Sequence, residues 1–335
     1  MKRLKLSWLA LGLLAFLAPS ATAPRAAGAQ GATELRIATV APEGSPWMRV
    51  FRAWDQELRQ RTGGQLGLRF YAGGAQGQEP DYIDKMRAGQ LDGAAVTSTG
   101  LGQIVRPVLV LSVPGIIESY GQIDRARRRL ASQFEGQFES SGYKLLGWGD
   151  VGKSRLFSTE RIERPEDLRQ RRPWVPRTDA VFAEMLDVVG ATPQRLGIPE
   201  VYPALQTRRI DTVPASAIAA VSLQWYTRLR YYTQQHSGVL IGATILKKEK
   251  FEALPADQQT ALMETSQRAH RLLQRAIRRE DERSEAVLQR RLEAVDISAH
   301  DAEWSRVQEE TRNRLAGRLY PRALLNRVIS AAGDP

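Results

Sequence analysis

Residues 65–99 read QLGLRFYAGGAQGQEPDYIDKMRAGQLDGAAVTST. Leu66 to Tyr71 alternate as a strand, a glycine-rich turn follows, Pro80 opens a helix that Gly89 closes, and LDGAAVTST returns as a strand. Immediately upstream, ELRIATVAP (34–42) alternates and ends in a proline turn. Pro46 then opens a helix carrying Trp47, Val50, Phe51, Trp54 and Leu58 at steps of three and four, stopped by Thr62-Gly63-Gly64. Strand, helix, strand, helix, strand in that order implies parallel strands with right-handed helical crossovers, the start of an open doubly wound sheet.

The rhythm restarts downstream. PVLVLSVPGII (107–117) is apolar and broken by Pro114, GQIDRARRRLASQFEGQFESSG (121–142) reads as a helix, and YKLLGWGDVGKSRLFST (143–159) supplies one or two strands. A second unit begins at Pro165, with helices over 178–190 and 199–209 and a strand-like IDTVPASA (210–217). GVLIGATILKKEKFEALP (238–255) reads as a strand and a turn. From Ala256 to about Val295 there is neither Gly nor Pro, and Leu262, Ala269, Leu273, Ala276 and Ile277 fall at helical spacing. A helix of about 40 residues would extend roughly 60 Å, longer than one lobe, so it must brace two unless it breaks at the charged RREDERSE (278–285). The expected architecture is α/β, with two open sheets, hinge strands and a long bracing helix. Lobe I takes 31–150 and about 240–280, and lobe II takes 151–239 and about 281–330.

Composition narrows the function. The chain has 335 residues, 42% hydrophobic and 25% charged, with a net charge of +11 and no cysteine. Disulfides, thiolate metal sites and cysteine nucleophiles are therefore excluded. The first 30 residues place Lys2, Arg3 and Lys5 before an apolar run from Leu6 to Leu17 and small residues, the order of a secretory signal peptide. Cleavage is expected near Ala29, with Ala21 to Ala23 as a second possible site, which places the protein in the periplasm. Removing that segment removes four basic residues and no acidic one, lowering the charge to +7. The remaining basic residues are scattered rather than interleaved with aromatics, which argues against nucleic acid as a partner.

Chemistry is sparse. His236, His270 and His300 are isolated, so no metal site is expected, and no Walker loop, nucleophile elbow or dinucleotide fingerprint is present. The glycines of YAGGAQGQ (71–78) could form an anion-binding nest, but a flexible turn is the plainer reading. No cofactor and no enzymatic activity are expected. A binding protein needs only two lobes, a crevice at the carboxyl ends of the strands and a few converging groups.

Several stretches carry a resemblance in matching order: ELRIATVAPEGSPW (34–47), residues 62–101, RPEDLRQRRPWVP (164–176), VVGATPQRL (188–196) and EVYPALQTRRIDT (200–212). Together the chain resembles the solute-binding subunits of tripartite ATP-independent periplasmic (TRAP) transporters, of the C4-dicarboxylate-binding type. The resemblance implies two α/β lobes that close on a small organic ligand, usually a carboxylate, and deliver it to TRAP membrane permease subunits. Some relatives with an altered pocket also work beside a tetratricopeptide-repeat protein.

Two departures stand out against that family. Its usual Gly-x-Lys-x-Arg-x-Pro segment, whose arginine clamps the ligand carboxylate, is replaced here by residues 170–176, and Trp174 takes the arginine's place. The usual amide-bearing run after the conserved-type Asp211 becomes Val213, Pro214, Ala215 and Ser216. Both changes make a ligand-facing position apolar, so the expected ligand is hydrophobic or aromatic. A Trp between two prolines would by default be a packed turn; the alignment favours a pocket role for Trp174. Arg155, aligned with a second arginine of many members, and Arg172, sharing a strand face with Trp174, are the candidate substitute cations. Trp47, Tyr71, Thr97, Ser98 and Thr99 lie where the first lobe should face the crevice. The alternatives are a carboxylate held by Arg155 or Arg172, or a scaffold that binds a partner protein without a small molecule.

Overall fold

A computed structural model describes residues 31–333; residues 1–30, read from the sequence as a signal peptide, lie outside the described residues. The first strands and helices are β1 (Thr33–Thr39), α1 (Pro46–Arg61), β2 (Leu66–Tyr71), α2 (Glu79–Arg87), β3 (Gly93–Thr97) and α3 (Ser98–Leu101). Then come α4 (Tyr120–Arg129), α5 (Ala131–Ser140), β4 (Tyr143–Ser158), β5 (Trp174–Pro176), α6 (Val181–Val189), β6 (Gln194–Leu196) and α7 (Ile198–Gln206). The rest are β7 (Thr212–Ala215), α8 (Ala217–Ser222), β8 (Tyr231–Thr233), β9 (Gly238–Lys247), α9 (Lys248–Glu252), α10 (Ala256–Leu288), β10 (Glu293–Val295), α11 (Asp301–Leu315) and α12 (Arg322–Gly333).

The opening stretch folds as its pattern requires. Ser45 caps α1, Pro46 occupies its first turn, and Met48, Phe51, Trp54 and Leu58 form the buried stripe. β1 pairs in parallel with β2 on one side and β3 on the other, because α1 and α2 carry the chain back over the sheet. Beyond β3 the sheet turns antiparallel through β9 and then β4.

β4 joins the two halves of the molecule. Its first part pairs with β9; from Arg155 to Ser158 it pairs with β7, and β8 adds at Phe157 and Ser158. The two expected sheets are thus halves of one eight-stranded sheet, continuous through a 16-residue strand. The change of partner follows an irregularity between Asp150 and Gly152. Gly152 has φ +109°, and an added Cβ would lie 2.5 Å from Ser216 Cβ and 2.7 Å from Asp281 Oδ1, so the crossing point has no room for a side chain. β5 and β6 form a separate parallel pair that carries Trp174.

The long helix is continuous, running 33 residues through the charged stretch without a break. It binds both halves. Trp54 of α1 donates its indole N–H to Thr265 at 3.1 Å, and Ser266 donates to the Leu146 carbonyl of β4 at 2.7 Å. Further along, Asp281 is buried and accepts the backbone N–H groups of Lys153 and Ile218, each at 3.0 Å, and the Tyr120 hydroxyl at 3.2 Å.

Two apolar clusters centre on the first half, around Phe134, Ile241 and Val328 and around Trp54, Phe70 and Leu262. Two more occupy the second half, around Trp174, Val213 and Trp225 and around Leu168, Leu186 and Trp304. Two expectations need correction. Residues 121–142 form two helices, because Leu130 leaves helical geometry between α4 and α5. The tail does not follow the expected boundary: a turn at Ala316–Tyr320, with Gly317 at φ +88°, redirects the chain so that α12 packs into the first half's core.

Candidate functional site

A cavity of about 240 Å³ lies at the carboxyl ends of β1 and β3, where a doubly wound sheet opens a crevice. The first half contributes Thr39–Pro42, the start of α1 with Trp47 and Phe51, Ala95–Thr99, and the 3₁₀ stretch through Leu111 and Ser112. From the second half come Trp174, Pro176, the start of α6 with Val181 and Phe182, and Pro214–Ser216 with Trp225. The β4 crossing point, Gly149–Val151, forms part of the wall.

Trp174 is both packed and in the wall. It is 4% exposed, stands edge-on to Trp225 with centroids 5.3 Å apart, and donates its indole N–H to the Leu196 carbonyl at 2.9 Å. Because that donor is committed inside the domain, only ring surface is left for a ligand. Trp47 behaves similarly, giving its N–H to the Asp150 carbonyl at 3.1 Å while lining the cavity. Ala215, Thr97, Ser98 and Thr99 also line it.

The remaining four predicted residues do not. Arg155 is 7% exposed and directs its guanidinium to Glu285 of α10 at 2.8 Å and to the Gln234 carbonyl at 3.3 Å. Arg172 pairs with Asp211: its side chain bonds one carboxylate oxygen at 3.2 Å, and its backbone N–H the other at 2.8 Å. The Arg172 side chain is otherwise largely in solvent. Tyr71 is half-buried, with the Arg69 guanidinium 5.1 Å from its ring centroid.

Among the described lining residues there is no lysine or arginine. The charged side chains are three carboxylates. Asp150 is fully buried and neutralised by Arg127 and Arg278, each at 2.7 Å. Glu79 accepts the Thr97 N–H at 2.7 Å, its hydroxyl at 2.9 Å and the Gly100 N–H at 2.8 Å. Burial nevertheless pushes its carboxyl above the usual range, against those three bonds, and Asp179 adds to the rise. Asp179 is likewise pushed up by burial, opposed by the Phe182 and Val181 N–H groups that its Oδ1 accepts. His270, behind the β9 wall, bonds Thr244 at 2.9 Å and Ser266 at 2.8 Å, and burial lowers it to about 4, so it is uncharged at neutral pH. Sequence reasoning missed Glu79, Asp150, Asp179 and Trp225, because nothing in their local pattern marks the face to which a loop or helix start will turn them.

The rims of the two halves touch. Gln78, preceding α2, donates to Glu200 of α7 at 3.0 Å, and Gln103 donates to Thr178 at 3.2 Å. Glu200 also accepts the Gly197 N–H and the Arg177 guanidinium, each at 2.7 Å. The Gly197 N–H, followed by Arg177, holds its carboxyl down to about 2. The Gln78 amide rests on Gly197, where a Cβ would fall 1.7 Å from it.

A crevice between two sheet halves, braced by one helix and touching at its rims, is the form of a ligand-enclosing receptor. Residues 37–316 match the family described as bacterial extracellular solute-binding protein, family 7 (DctP), and the chain belongs to that family, the TRAP solute-binding proteins. It is similar to a solute-binding protein of Chromohalobacter salexigens, 26% identical over 232 residues that cover 68% of each chain. Its fold is that of DctP7 of Bordetella pertussis, an extracytoplasmic solute receptor binding pyroglutamic acid (TM-score 0.84, 17% identity, covering 90% of this chain and 100% of that one). A TRAP periplasmic solute-binding protein of Sulfitobacter with bound β-D-galacturonate is also similar (TM-score 0.83, 20% identity, covering 89% and 100%). The protein is therefore a periplasmic-type receptor, not an enzyme; it binds a small organic ligand and works with membrane permease subunits. No helix among the described residues is long and apolar enough to cross a membrane.

Proposed function

We propose that this receptor closes two lobes on a hydrophobic or aromatic ligand, after export directed by residues 1–30. The observation that carries the reading is the lack of any arginine or lysine among the described residues lining the cavity. A ligand carboxylate there would lose its hydration with no guanidinium to replace it, at a cost of several kcal/mol. Pyroglutamate and galacturonate, bound by the two structural relatives, are acids; the described lining of this cavity offers such ligands the Trp174 ring and no cation. Apolar contact can supply affinity instead: covering about 150 Å² of ligand with rings and aliphatic groups is worth about 4 kcal/mol.

The carboxylate reading through Arg155 or Arg172 is less well supported, because both guanidiniums are paired with carboxylates outside the cavity lining. A thermal-shift screen of aromatic and aliphatic compounds against succinate, malate and sugar acids tests the proposal. Apolar compounds should raise the melting temperature and the acids should not. Stabilisation by succinate or galacturonate that disappears in Arg155→Ala would sink it.

A further inference from the structure

We propose that Asp179 receives a hydrogen-bond-donating head group, hydroxyl or amine, on a ligand whose remaining surface is apolar. This deepens the apolar-ligand reading and rests on it. The carboxylate of Asp179 is divided between two tasks. Oδ1 accepts the N–H groups of Val181 at 2.8 Å and Phe182 at 2.9 Å and so caps the start of α6. Oδ2 has no hydrogen-bond partner among the described residues, although Asp179 lines the cavity. The nearby Arg195 does not neutralise it by direct bonding, since its Nη1 donates to the carbonyls of Arg177 at 3.1 Å and Asp179 at 3.2 Å.

A second polar group in the same lining is also unmatched. The Ser112 hydroxyl is buried and lacks a partner. The Asp179 Oδ2 lone pairs are free and open to the cavity, so a ligand donor reaching Asp179 and an acceptor reaching Ser112 would satisfy groups left unmatched among the described residues. Charge decides which head group fits. Glu79 faces the same space and is raised further by Asp179, so a carboxylate head group would meet two carboxyls, whereas a hydroxyl or ammonium would meet acceptors. On this assignment the protein contributes the carboxylate and the ligand contributes the donor.

The test uses four compounds sharing one ring: phenylethanol, phenylethylamine, phenylacetate and ethylbenzene, with affinities measured by calorimetry on the full mature chain and on Asp179→Asn. The asparagine keeps a capping oxygen and exchanges the free acceptor for a donor, so the fold should be unchanged, as circular dichroism and the melting temperature verify. The alcohol or the amine should bind about tenfold more tightly than ethylbenzene and phenylacetate, and Asp179→Asn should erase that preference. Ser112→Ala should weaken the same preference without altering ethylbenzene binding. Equal binding of ethylbenzene and the alcohol, or an unchanged preference in Asp179→Asn, would overturn this assignment while leaving the apolar cavity intact. Tightest binding by phenylacetate, or binding by none of the four, would overturn the apolar reading and this assignment with it.

Discussion

The indole N–H of Trp174 bonds the Leu196 carbonyl, tying β5 to the end of β6 from inside the cavity wall. That one bond separates two roles of the side chain. Trp174→Phe keeps an aromatic wall against Trp225 but leaves the buried Leu196 carbonyl without its indole donor, and should cost about 1–3 kcal/mol of stability with apolar ligands still bound. Trp174→Ala removes the ring, should cost about 3–5 kcal/mol, and should abolish ligand-induced stabilisation. Chemical denaturation with and without ligand separates the two effects.

Arg155 tests the competing carboxylate reading from the stability side. It is buried beside Glu285, which is 30% exposed on its side chain, so removing the arginine leaves a partly desolvated carboxylate on α10. Arg155→Ala should lower stability by about 1–3 kcal/mol while leaving the affinity for apolar ligands within about twofold. A large loss of affinity with little loss of stability would instead make it a ligand contact.

The rim contact predicts a conformational variant. Gly197 has ordinary negative φ, so alanine is tolerated by the backbone, but its methyl group occupies the place of the Gln78 amide. The flexible Gln78 side chain yields, and its bond to Glu200 across the rims is lost. Gly197→Ala should leave the melting temperature of the free protein nearly unchanged, weaken ligand binding, and shift the ligand-free ensemble to larger dimensions in solution scattering. Unchanged affinity and scattering would show that this contact does not hold the rims together.

The fold was legible where local pattern and topology agree. Pro46, Pro80 and Gly89 mark their own element ends, Phe51, Trp54 and Leu58 are buried as their spacing requires while Met48 takes the buried place expected of Trp47 and Val50, and alternation between strand and helix then dictates a parallel sheet. The long helix was legible from the lack of Gly and Pro, but its end at Leu288 was placed too far along, because Gln289 to Leu292 carry no breaker. Thr97 and Ser98, read from strand ends, and Trp174 and Ala215, read from the family resemblance, all line the cavity. Arg155 and Arg172 were misdirected because their partners, Glu285 and Asp211, are 130 and 39 residues away in sequence. Only the tertiary fold shows that these charges are already paired.

His270 gives a pH dependence with a definite sign. Its imidazole is buried between Thr244 and Ser266, and burial lowers its folded-state pKa from 6.5 to about 4. In the unfolded chain the same histidine protonates near its ordinary value, so between those two values the unfolded state holds more protons. Stability from this residue is therefore complete above about pH 6.5 and is lost as the pH falls toward 4, by about 2–3 kcal/mol at pH 4.5. His270→Gln, which retains polar atoms near the Thr244 hydroxyl, should be less stable than the parent at pH 7 and should lose less stability between pH 7 and 4.5. Urea unfolding at the two pH values measures both differences. Equal pH slopes in parent and variant would mean that other groups, such as Asp92 and Glu200, whose carboxyls are held down in the folded state, govern the acid limb.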